Sequence, residues 1–510
     1  MEIEGDSKQT ADQITSSETG GRGESVQVNL PVKDKDDLSR QGFNASTLLI
    51  SSLMLLGPVL MGITIACIGN DNYIKRHFYQ LHYDPNADFD KIEADDFPSS
   101  IWSIGFLYPF GGWFGSIIGG YSVDRFGRKA PSILFCLLAM LSAILKVVSK
   151  YAHIALLFIS RFFDGISAAG LMVSALLLMF ETLPPRLEKI FKPLIQISVN
   201  FGIVLISIIT LTDFVGHNWN FAHALAFGVA LILCLVVIMS QESPKYIYNQ
   251  TRDIQKAVQI FKNLRGKNYS QREVELLTES ASKSSQIQKM SVGQFLKERR
   301  FTVATISLIV LHMGQQLSGI NSIMAFAPSI LRSLNFQSPD KAGLAIASLG
   351  LLGSIIFAPI VGNQRRKLLW IIGFLLMMFS FGGFLANQEL TKKLGGYMLS
   401  PYVGMFFLGL FVFIFQLGPG PVVWFISVEM FPPSATGPAQ GIASFFNWFA
   451  NTLVFLLFPI LLEKLSYSVL IIFMVFQLIV VVYSAIFVVE TFKRDPNDVL
   501  DDYQRFKCCC

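Results

Sequence analysis

Three side-chain amides lie close together within an otherwise apolar part of the chain. Residues 314–321 read Gly-Gln-Gln-Leu-Ser-Gly-Ile-Asn, so that Gln315, Gln316 and Asn321 interrupt a run of apolar residues. An amide both donates and accepts hydrogen bonds, and in an apolar environment it must find partners. One amide is enough to join two helices, but three amides beside glycines that loosen the helix favour a site for hydroxyl groups. A neutral sugar is a ligand of this kind, and an aromatic platform would complete its lining.

A basic loop is the second feature with chemical significance. Residues 120–129 read Gly-Tyr-Ser-Val-Asp-Arg-Phe-Gly-Arg-Lys, and residues 365–367 read Arg-Arg-Lys. A tight glycine turn directs guanidinium groups at helix ends, where carboxylates and helix C-termini attract them. Glu181 and Glu429 each begin a Glu-x-x-Pro-Pro sequence. They are the expected partners, because an unpaired carboxylate near a membrane is costly.

Such charge pairs would form a latch that holds two helix bundles closed at the cytoplasmic face. The alternative is that the basic residues only set the topology of the chain. The residues predicted to form this latch are Asp124, Arg125, Arg128, Glu181, Arg365, Arg366 and Glu429.

Long apolar segments must position these residues. Of the 510 residues, 52% are hydrophobic and only 15% are charged, whereas soluble domains have about 25% charged residues. A run of about 20 apolar residues matches the hydrocarbon core of a bilayer, and buried helices of a soluble protein would not give so many such runs. We therefore predict an all-α membrane protein with about twelve transmembrane helices. They lie near residues 46–69, 99–121, 131–149, 152–180, 190–213, 221–240, 302–325, 343–361, 368–386, 400–428, 438–461 and 468–489.

The predicted spans fall into two groups of six. Lys and Arg are concentrated in the stretch between the groups and in short loops on the same side, so both termini are expected to be cytoplasmic. The Glu-x-x-Pro-Pro at the ends of the fourth and tenth spans indicates that the two groups are related repeats. The expected organisation is a disordered cytoplasmic tail at 1–45, a six-helix bundle at 46–240, a cytoplasmic loop with short helices at 241–300, a second bundle at 301–489 and a cytoplasmic tail at 490–510.

The loop at 120–129 resembles the G-x-x-x-D-R-x-G-R-K signature of the major facilitator superfamily. Further motifs are similar to those of sugar porters of the facilitated glucose transporter (GLUT) type, and they recur in order over about residues 47–495. They are residues 314–321, Ser160-Arg161-Phe162, Glu242-Ser-Pro-Lys245, Gly418-Pro-Gly-Pro-Val-Val-Trp424, Asn447-Trp448 and Val489-Glu-Thr491. The resemblance implies the major facilitator fold and facilitative transport of a hexose such as glucose, as a uniporter that works by alternating access.

The resemblance also implies a set of substrate-binding residues. Gln416 occupies a place where the family usually has Glu, and Gly350 occupies the place where an Asn of the eighth span is expected. The family's Arg after each Glu of the fourth and tenth spans is also missing, with Arg186 as a substitute for the first, and the loop at 362–367 lacks the family's acidic residue. We therefore expect a weaker latch in the second half. The implied ligands of the sugar are Gln196, Gln315, Gln316, Asn321, Gln416, Trp424, Asn447 and Asn451.

Asp164 lies inside the fourth span, three residues after Arg161. Residues three apart share one face of a helix, so a neutralising pair is expected; a proton site is the alternative. Proton-coupled sugar porters usually have an Asp in the first span, where residues 61–67 contain no carboxylate, and facilitated diffusion is therefore favoured. A proton-coupled symporter of sugars or polyols and a non-transporting sugar sensor remain as alternatives.

Other classes of function lack support in the sequence. It contains no P-loop, HExxH motif, nucleophile elbow or zinc spacing, so we expect neither an enzyme nor a cofactor or metal. The net charge of +5 gives no indication of a nucleic-acid partner. The expected partners are a small hexose and the lipid bilayer, which we expect to be that of the plasma membrane. Cys508, Cys509 and Cys510 end the chain, either as sites of palmitoylation or unmodified.

Overall fold

The structure is a computed structural model that describes residues 45–67, 71–82, 84–86, 104–211, 213–214, 218–266, 274–279, 290–332, 336–395 and 400–507. Within these ranges the chain forms helices and turns without any strand, which confirms the all-α prediction. The helices of the first half are α1 (Ala45–Met54), α2 (Leu56–Ala66), α3 (Asp71–His82), α4 (Ile104–Phe126), α5 (Lys129–Ser149), α6 (Ile154–Thr182), α7 (Pro185–Ile209) and α8 (Trp219–Met239).

Shorter helices connect the two halves. They are α9 (Pro244–Thr251), α10 (Ile254–Arg265) and α11 (Val292–Lys297). The second half contains α12 (Thr302–Leu317), α13 (Ile320–Arg332), α14 (Pro339–Val361), α15 (Arg366–Lys393), α16 (Ser400–Phe415), α17 (Pro419–Met430), α18 (Thr436–Leu465) and α19 (Val469–Phe487), and α20 (Pro496–Lys507) follows it.

Ten helical stretches of the described residues are long and apolar enough to cross a membrane. One of them, Thr436–Phe487, is 52 residues long and contains both α18 and α19, so it corresponds to two predicted spans. The predicted second span corresponds to α4, which is not among the ten. All twelve predicted spans therefore have a helical counterpart.

Glycines bring α4 and α6 into backbone contact. Gly111 and Gly115 lie one turn apart on α4, and a Cβ on them would lie 2.1 Å from the Phe162 carbonyl oxygen and 2.4 Å from that of Ile166. Gly165 makes the corresponding contact from α6, where a Cβ would lie 1.9 Å from the Tyr108 carbonyl oxygen. Small residues at four-residue spacing are a common means of close packing in a membrane, because lipid supplies no hydrophobic force between helices.

Two helix pairs join the halves to each other. The first-half helix α7 packs on α14, and α4 packs on α18. The buried side chains of the first half form one cluster around α2, α5, α6 and α8, whereas those of the second half form two clusters. The first-half cluster also takes in Ala347 and Trp448 of the second half, so the two halves share packed residues at their interface.

Two spans of the second half are broken. The seventh consists of α12 and α13, separated at Gly319, whose φ of +92° is unfavourable for other residues. The tenth consists of α16 and α17, and Pro419 begins α17 after a turn at Gln416–Gly418. Broken helices expose backbone groups within the bundle, and they are tolerated where protein or a cavity satisfies those groups.

Helix α20 folds back onto the second half. It contacts α12 and α17, and Val499, Leu500 and Tyr503 are fully buried in this contact. The Val489 backbone N–H donates to the Tyr503 hydroxyl over 3.2 Å. Burial raises the pKa of Tyr503 to about 12, so this phenol stays protonated at neutral pH and α20 stays docked without a charge in the contact.

The backbone contact between α4 and α6 gives a first testable prediction. Gly165→Ala should force these helices apart and lower the thermal unfolding midpoint in detergent, because overpacking costs about 1–3 kcal/mol. The control is Gly228→Ala in α8, where a Cβ would have no atom within 4 Å and alanine is the better helix former. Equal midpoints for the two variants would contradict the packing of α4 on α6.

Candidate functional site

Five amides of the second half form one continuous hydrogen-bonded network. Asn447 donates to Oε1 of Gln315 (2.9 Å) and accepts from Nε2 of Gln316 (2.9 Å). Asn321 donates to Oε1 of Gln316 (2.6 Å) and to Oδ1 of Asn451 (2.9 Å). The structure thus brings together the polar residues predicted in the seventh and eleventh spans, and they bond to one another.

The amide network also holds the two helix breaks in place. Gln315 donates to the carbonyl oxygens of Pro419 (3.1 Å) and Gly420 (2.8 Å) at the start of α17. Gln477 of α19 donates to the Ser318 carbonyl oxygen (2.8 Å) at the break between α12 and α13. Gln477 thus satisfies a carbonyl group that the first break exposes, and Gln315 ties α12 to the first turn of α17.

A cavity of about 780 Å³ lies between the halves, and none of the five network amides is among the residues that line it. Its volume is within the range of about 300–1,000 Å³ typical of small-molecule sites. Gln196 of α7 and Gln416 line it from opposite halves, so two of the predicted ligands face the same space. Its lining extends to exposed Lys189 and Asn363 and to Glu429, which is the only carboxylate among the described residues that line it.

Trp424 lies outside this lining. Its neighbours Pro421 and Phe425 line the cavity, whereas Trp424 is 38% exposed and its ring meets His312 edge to face at 6.0 Å. A role for Trp424 as a platform for a sugar therefore requires a rearrangement of α17.

An arginine–glutamate pair closes the helix ends of the first half. Arg128 binds both carboxylate oxygens of Glu181, through Nε (2.7 Å) and Nη2 (3.1 Å), and its Nη1 donates to the Val123 carbonyl oxygen. Glu242 accepts the backbone N–H groups of Arg128 and Lys129, both at 3.1 Å, and so caps α5. This arrangement satisfies two carboxylates and one guanidinium group locally.

The second half repeats this arrangement. Arg366 binds Glu429 through Nε (3.1 Å) and Nη2 (3.0 Å), and its Nη1 donates to the Val361 carbonyl oxygen. Glu490 accepts the Arg366 backbone N–H (2.8 Å), as Glu242 does in the first half. The bidentate pair is thus kept, although we expected a weaker latch here, and Thr491 adds a 2.6 Å hydrogen bond to Glu429.

Three predicted latch residues make no ion pair within the described part of the chain. Asp124 is exposed, and Arg125 donates to the Tyr121 hydroxyl over 2.6 Å. Arg365 takes the turn position that Gly127 has in the first half, where φ is +87° and a Cβ would lie 2.6 Å from Oε2 of Glu242. The observed pairs Arg128–Glu181 and Arg366–Glu429 each stay within one half, so neither joins the halves.

Asp164 has two cationic partners. Nη1 of Arg161 lies 3.1 Å from its Oδ2, which confirms the expected contact, and Nζ of Lys146 lies closer, at 2.6 Å. All three side chains are at most 2% exposed. Their formal charges leave one net positive charge in the first bundle, and the Tyr108 ring faces the Arg161 guanidinium at 4.9 Å.

The interface is tighter at the end opposite to the basic loops. There α2, α7, α13 and α14 leave a cleft of only about 30 Å³. Lys341 of α14 forms a 2.8 Å ion pair with Asp213, which follows α7, so this exposed pair joins the two halves. The described interface is therefore open toward the basic loops and closed at the other end.

Several residues of these arrangements escaped the sequence interpretation. Glu242 and Glu490 stood in the quoted motifs without an assigned role, although their positions after the sixth and twelfth spans are equivalent. Lys146 and Gln477 are single polar residues in apolar spans, which was the available signal. Cys508, Cys509 and Cys510 lie outside the described residues.

The family model for sugar (and other) transporters matches residues 50–499. Facilitated glucose transporter member 2 of solute carrier family 2 from Mus musculus is 26% identical over 412 residues, which cover 79% of this chain and 78% of that protein. Member 3 from Ovis aries is 27% identical over 458 residues, which cover 87% and 92%.

Solved structures share the fold. The inward open conformation of the xylose transporter XylE from E. coli has a TM-score of 0.72 at 19% identity, and the match covers 90% of this chain and 99% of that one. The major facilitator proton:xylose symporter XylE bound to 6-bromo-6-deoxy-D-glucose has a TM-score of 0.70, at the same identity and coverage. The predicted major facilitator fold is thereby confirmed.

The amide network gives a second testable prediction, on folding. Asn447→Leu should lower stability by about 1–3 kcal/mol, because it leaves amide groups of Gln315 and Gln316 unpaired. Gln196→Leu is the matched control, since Gln196 makes no hydrogen bond to the described residues and its loss should leave the thermal unfolding midpoint unchanged. If only Gln196→Leu lowered the thermal unfolding midpoint, the structural role of Asn447 would be contradicted.

Proposed function

Because the chain belongs to the sugar transporter family and is an integral membrane protein, we propose that it carries a neutral hexose such as glucose across its membrane as a facilitative uniporter. The observation that carries the proposal is the cavity between the halves, which Gln196 lines from one half and Gln416 from the other. Neutral amides match the many donors and acceptors of a sugar. The facilitated glucose transporters among its relatives support glucose as the first substrate to test.

The binding site in this proposal combines the cavity lining with the amide network. Gln196 and Gln416 contact the sugar first, because they face open space. Gln315, Gln316, Asn321, Asn447 and Asn451 do not line the cavity as described, and in this proposal they join the site when a sugar hydroxyl replaces one of their amide–amide hydrogen bonds. Trp424 joins the site only in another conformation of α17.

Alternating access follows from the asymmetry of the interface. The basic loops are cytoplasmic in this proposal, as are both termini, and the membrane is the plasma membrane. The described conformation is then open to the cytoplasm, with the Lys341–Asp213 pair and the narrow cleft closing the outer end. Since the Arg–Glu pairs stay within their halves, each half can rock as a unit about α7–α14 and α4–α18.

The charges around Asp164 support uniport over proton symport. Binding of a proton by Asp164 would leave Lys146 and Arg161 buried without a counter-charge, and an uncompensated buried charge is strongly destabilising. The carboxylate has a structural role in this proposal: its ion pair with Lys146 ties α5 to α6, and it also binds Arg161 of its own helix.

The sensor alternative receives less support than transport. It was suggested by an eroded latch in the second half, yet Arg366 keeps a bidentate pair with Glu429 there. The equivalent Arg–Glu pairs in the two halves support a working carrier, because alternating access uses two rigid bodies of similar construction.

The proposed function is tested by uptake of labelled D-glucose into liposomes that contain the purified full chain. We expect saturable uptake that stops at equal concentrations on both sides and is the same with and without an inward proton gradient. Gln196→Leu, which should keep its fold, is expected to raise KM about tenfold, since it removes one buried hydrogen bond. L-glucose and protein-free liposomes are the controls.

Three results of this experiment would contradict the proposal. Accumulation driven by the proton gradient would replace the uniporter with a symporter and give Asp164 a transport role. Binding of glucose without flux of any hexose would identify a sensor. Neither binding nor flux for any hexose would exclude sugars of this class as substrates.

A further inference from the structure

Two buried amides face each other deeper in the interface between the halves. Asn200 lies on α7 one turn beyond Gln196, and it is 2% exposed. Within the described residues, its Nδ2 has no hydrogen-bond partner, and neither has Oε1 of Gln416, which is 4% exposed. A buried amide atom without a partner carries its full desolvation penalty, so both atoms are poised for a polar ligand.

The space between these amides is left by a glycine. A Cβ at Gly350 of α14 would lie 3.8 Å from Oδ1 of Asn200 and 4.0 Å from Nε2 of Gln416, and Cγ1 of Val412 would be only 2.8 Å away. Asn200 belongs to the first half, whereas Gly350 and Gln416 belong to the second. The two amides therefore approach one point from opposite halves, and any side chain at residue 350 would crowd it.

This point adjoins the cavity of the proposed site. Gln416 and Ser354, one turn from Gly350 on α14, both line the cavity. Gln196 lines it from α7, on the same helix face as Asn200. A ligand at the inner end of the cavity would therefore lie next to Asn200, Gln416 and Gly350.

We propose that Asn200 is a substrate-binding residue, and that one hydroxyl group of the substrate bridges Asn200 and Gln416 in the space left by Gly350. Oδ1 of Asn200 and Nε2 of Gln416 border this space, so both terminal amides rotate to present their unpaired atoms. The hydroxyl oxygen then accepts from Nδ2 of Asn200, and its hydrogen is donated to Oε1 of Gln416. Both unpaired atoms are then satisfied by one group. This inference rests on the proposed function and deepens it, because it selects hexoses that place a hydroxyl at this point.

The bridge also explains how the chain manages without an amide in the eighth span. The amide expected at residue 350 is absent, and Asn200 supplies one from the facing helix instead. A sugar that lacks the bridging hydroxyl leaves two buried amides unpaired, so it should be rejected more strongly than the loss of one contact implies.

The experiment measures competition of glucose analogues, each lacking one hydroxyl, against labelled D-glucose uptake in liposomes with the full chain. We expect one analogue to bind about a hundredfold more weakly than glucose to the wild-type chain, because two buried amide atoms lose their partner at once. In Asn200→Val and in Gln416→Leu, KM for glucose should rise about tenfold, and the penalty for that same analogue should vanish.

Control variants separate binding from folding. Phe201→Leu changes the adjacent residue, which is 49% exposed, and should leave KM and the analogue pattern unchanged. Asn200→Ala replaces Asn200→Val if the valine variant is not monodisperse in detergent. Gly350→Asn combined with Val412→Ala, which relieves the short contact, should restore the analogue penalty in the Asn200→Val chain, with Val412→Ala alone as its control.

The outcomes distinguish this proposal from the proposed function. Wild-type glucose uptake together with an unchanged KM and analogue pattern in Asn200→Val overturns the role of Asn200 alone. If water alone fills the space, the variants change the thermal unfolding midpoint without changing KM, which also overturns it. Absence of hexose binding and uptake in the wild-type chain overturns the proposed function and this inference together.

Discussion

Polar groups inside the membrane-spanning bundle must find their partners within the protein, because the hydrocarbon core offers none. This constraint accounts for the main polar arrangements of the structure. The five amides bond to each other and to the carbonyls at the helix breaks. Asp164 binds two cations, and each latch arginine binds both oxygens of one glutamate. The exceptions to the constraint, such as Asn200 and Gln416, then become informative.

The equivalence of the two halves is clearest at the charged helix ends, where an unpaired polar group would cost the most free energy. Arg128 and Arg366 make the same kinds of contact: a glutamate side chain, a carbonyl at the preceding helix end, and a backbone N–H to a second glutamate. Lys129 and Lys367 likewise donate to the last carbonyls of α8 and α19. The loop sequences around these basic residues differ between the halves, yet the contacts are the same. An unpaired charge at a helix end near the membrane is costly in free energy, whereas a change elsewhere in the loop is not.

The fold could be predicted from the sequence because apolar runs and charged loops are local signals. The Glu-x-x-Pro-Pro repeat even indicated which glutamates pair with the basic loops. Lys146 could not be assigned in this way, since its partner Asp164 lies on the next helix and only packing brings them together. The hydrogen bonds among Gln316, Asn321 and Asn447 could not be predicted from the sequence either, because amides that can bind a hydroxyl ligand can equally bind one another.

That last ambiguity bears on how a carrier of neutral substrate works. A site with strong fixed charges would bind one conformation tightly and trap it, whereas a carrier must release its substrate on both sides. Amides that bond to each other without substrate, and to hydroxyl groups with it, exchange one set of hydrogen bonds for another of similar strength. The replacement of a carboxylate by Gln416 and the pairing of Glu429 with Arg366 both keep this exchange neutral. In the proposed function, a site shared by α7 and the second half would couple substrate binding to the relative position of the halves without a large change in free energy.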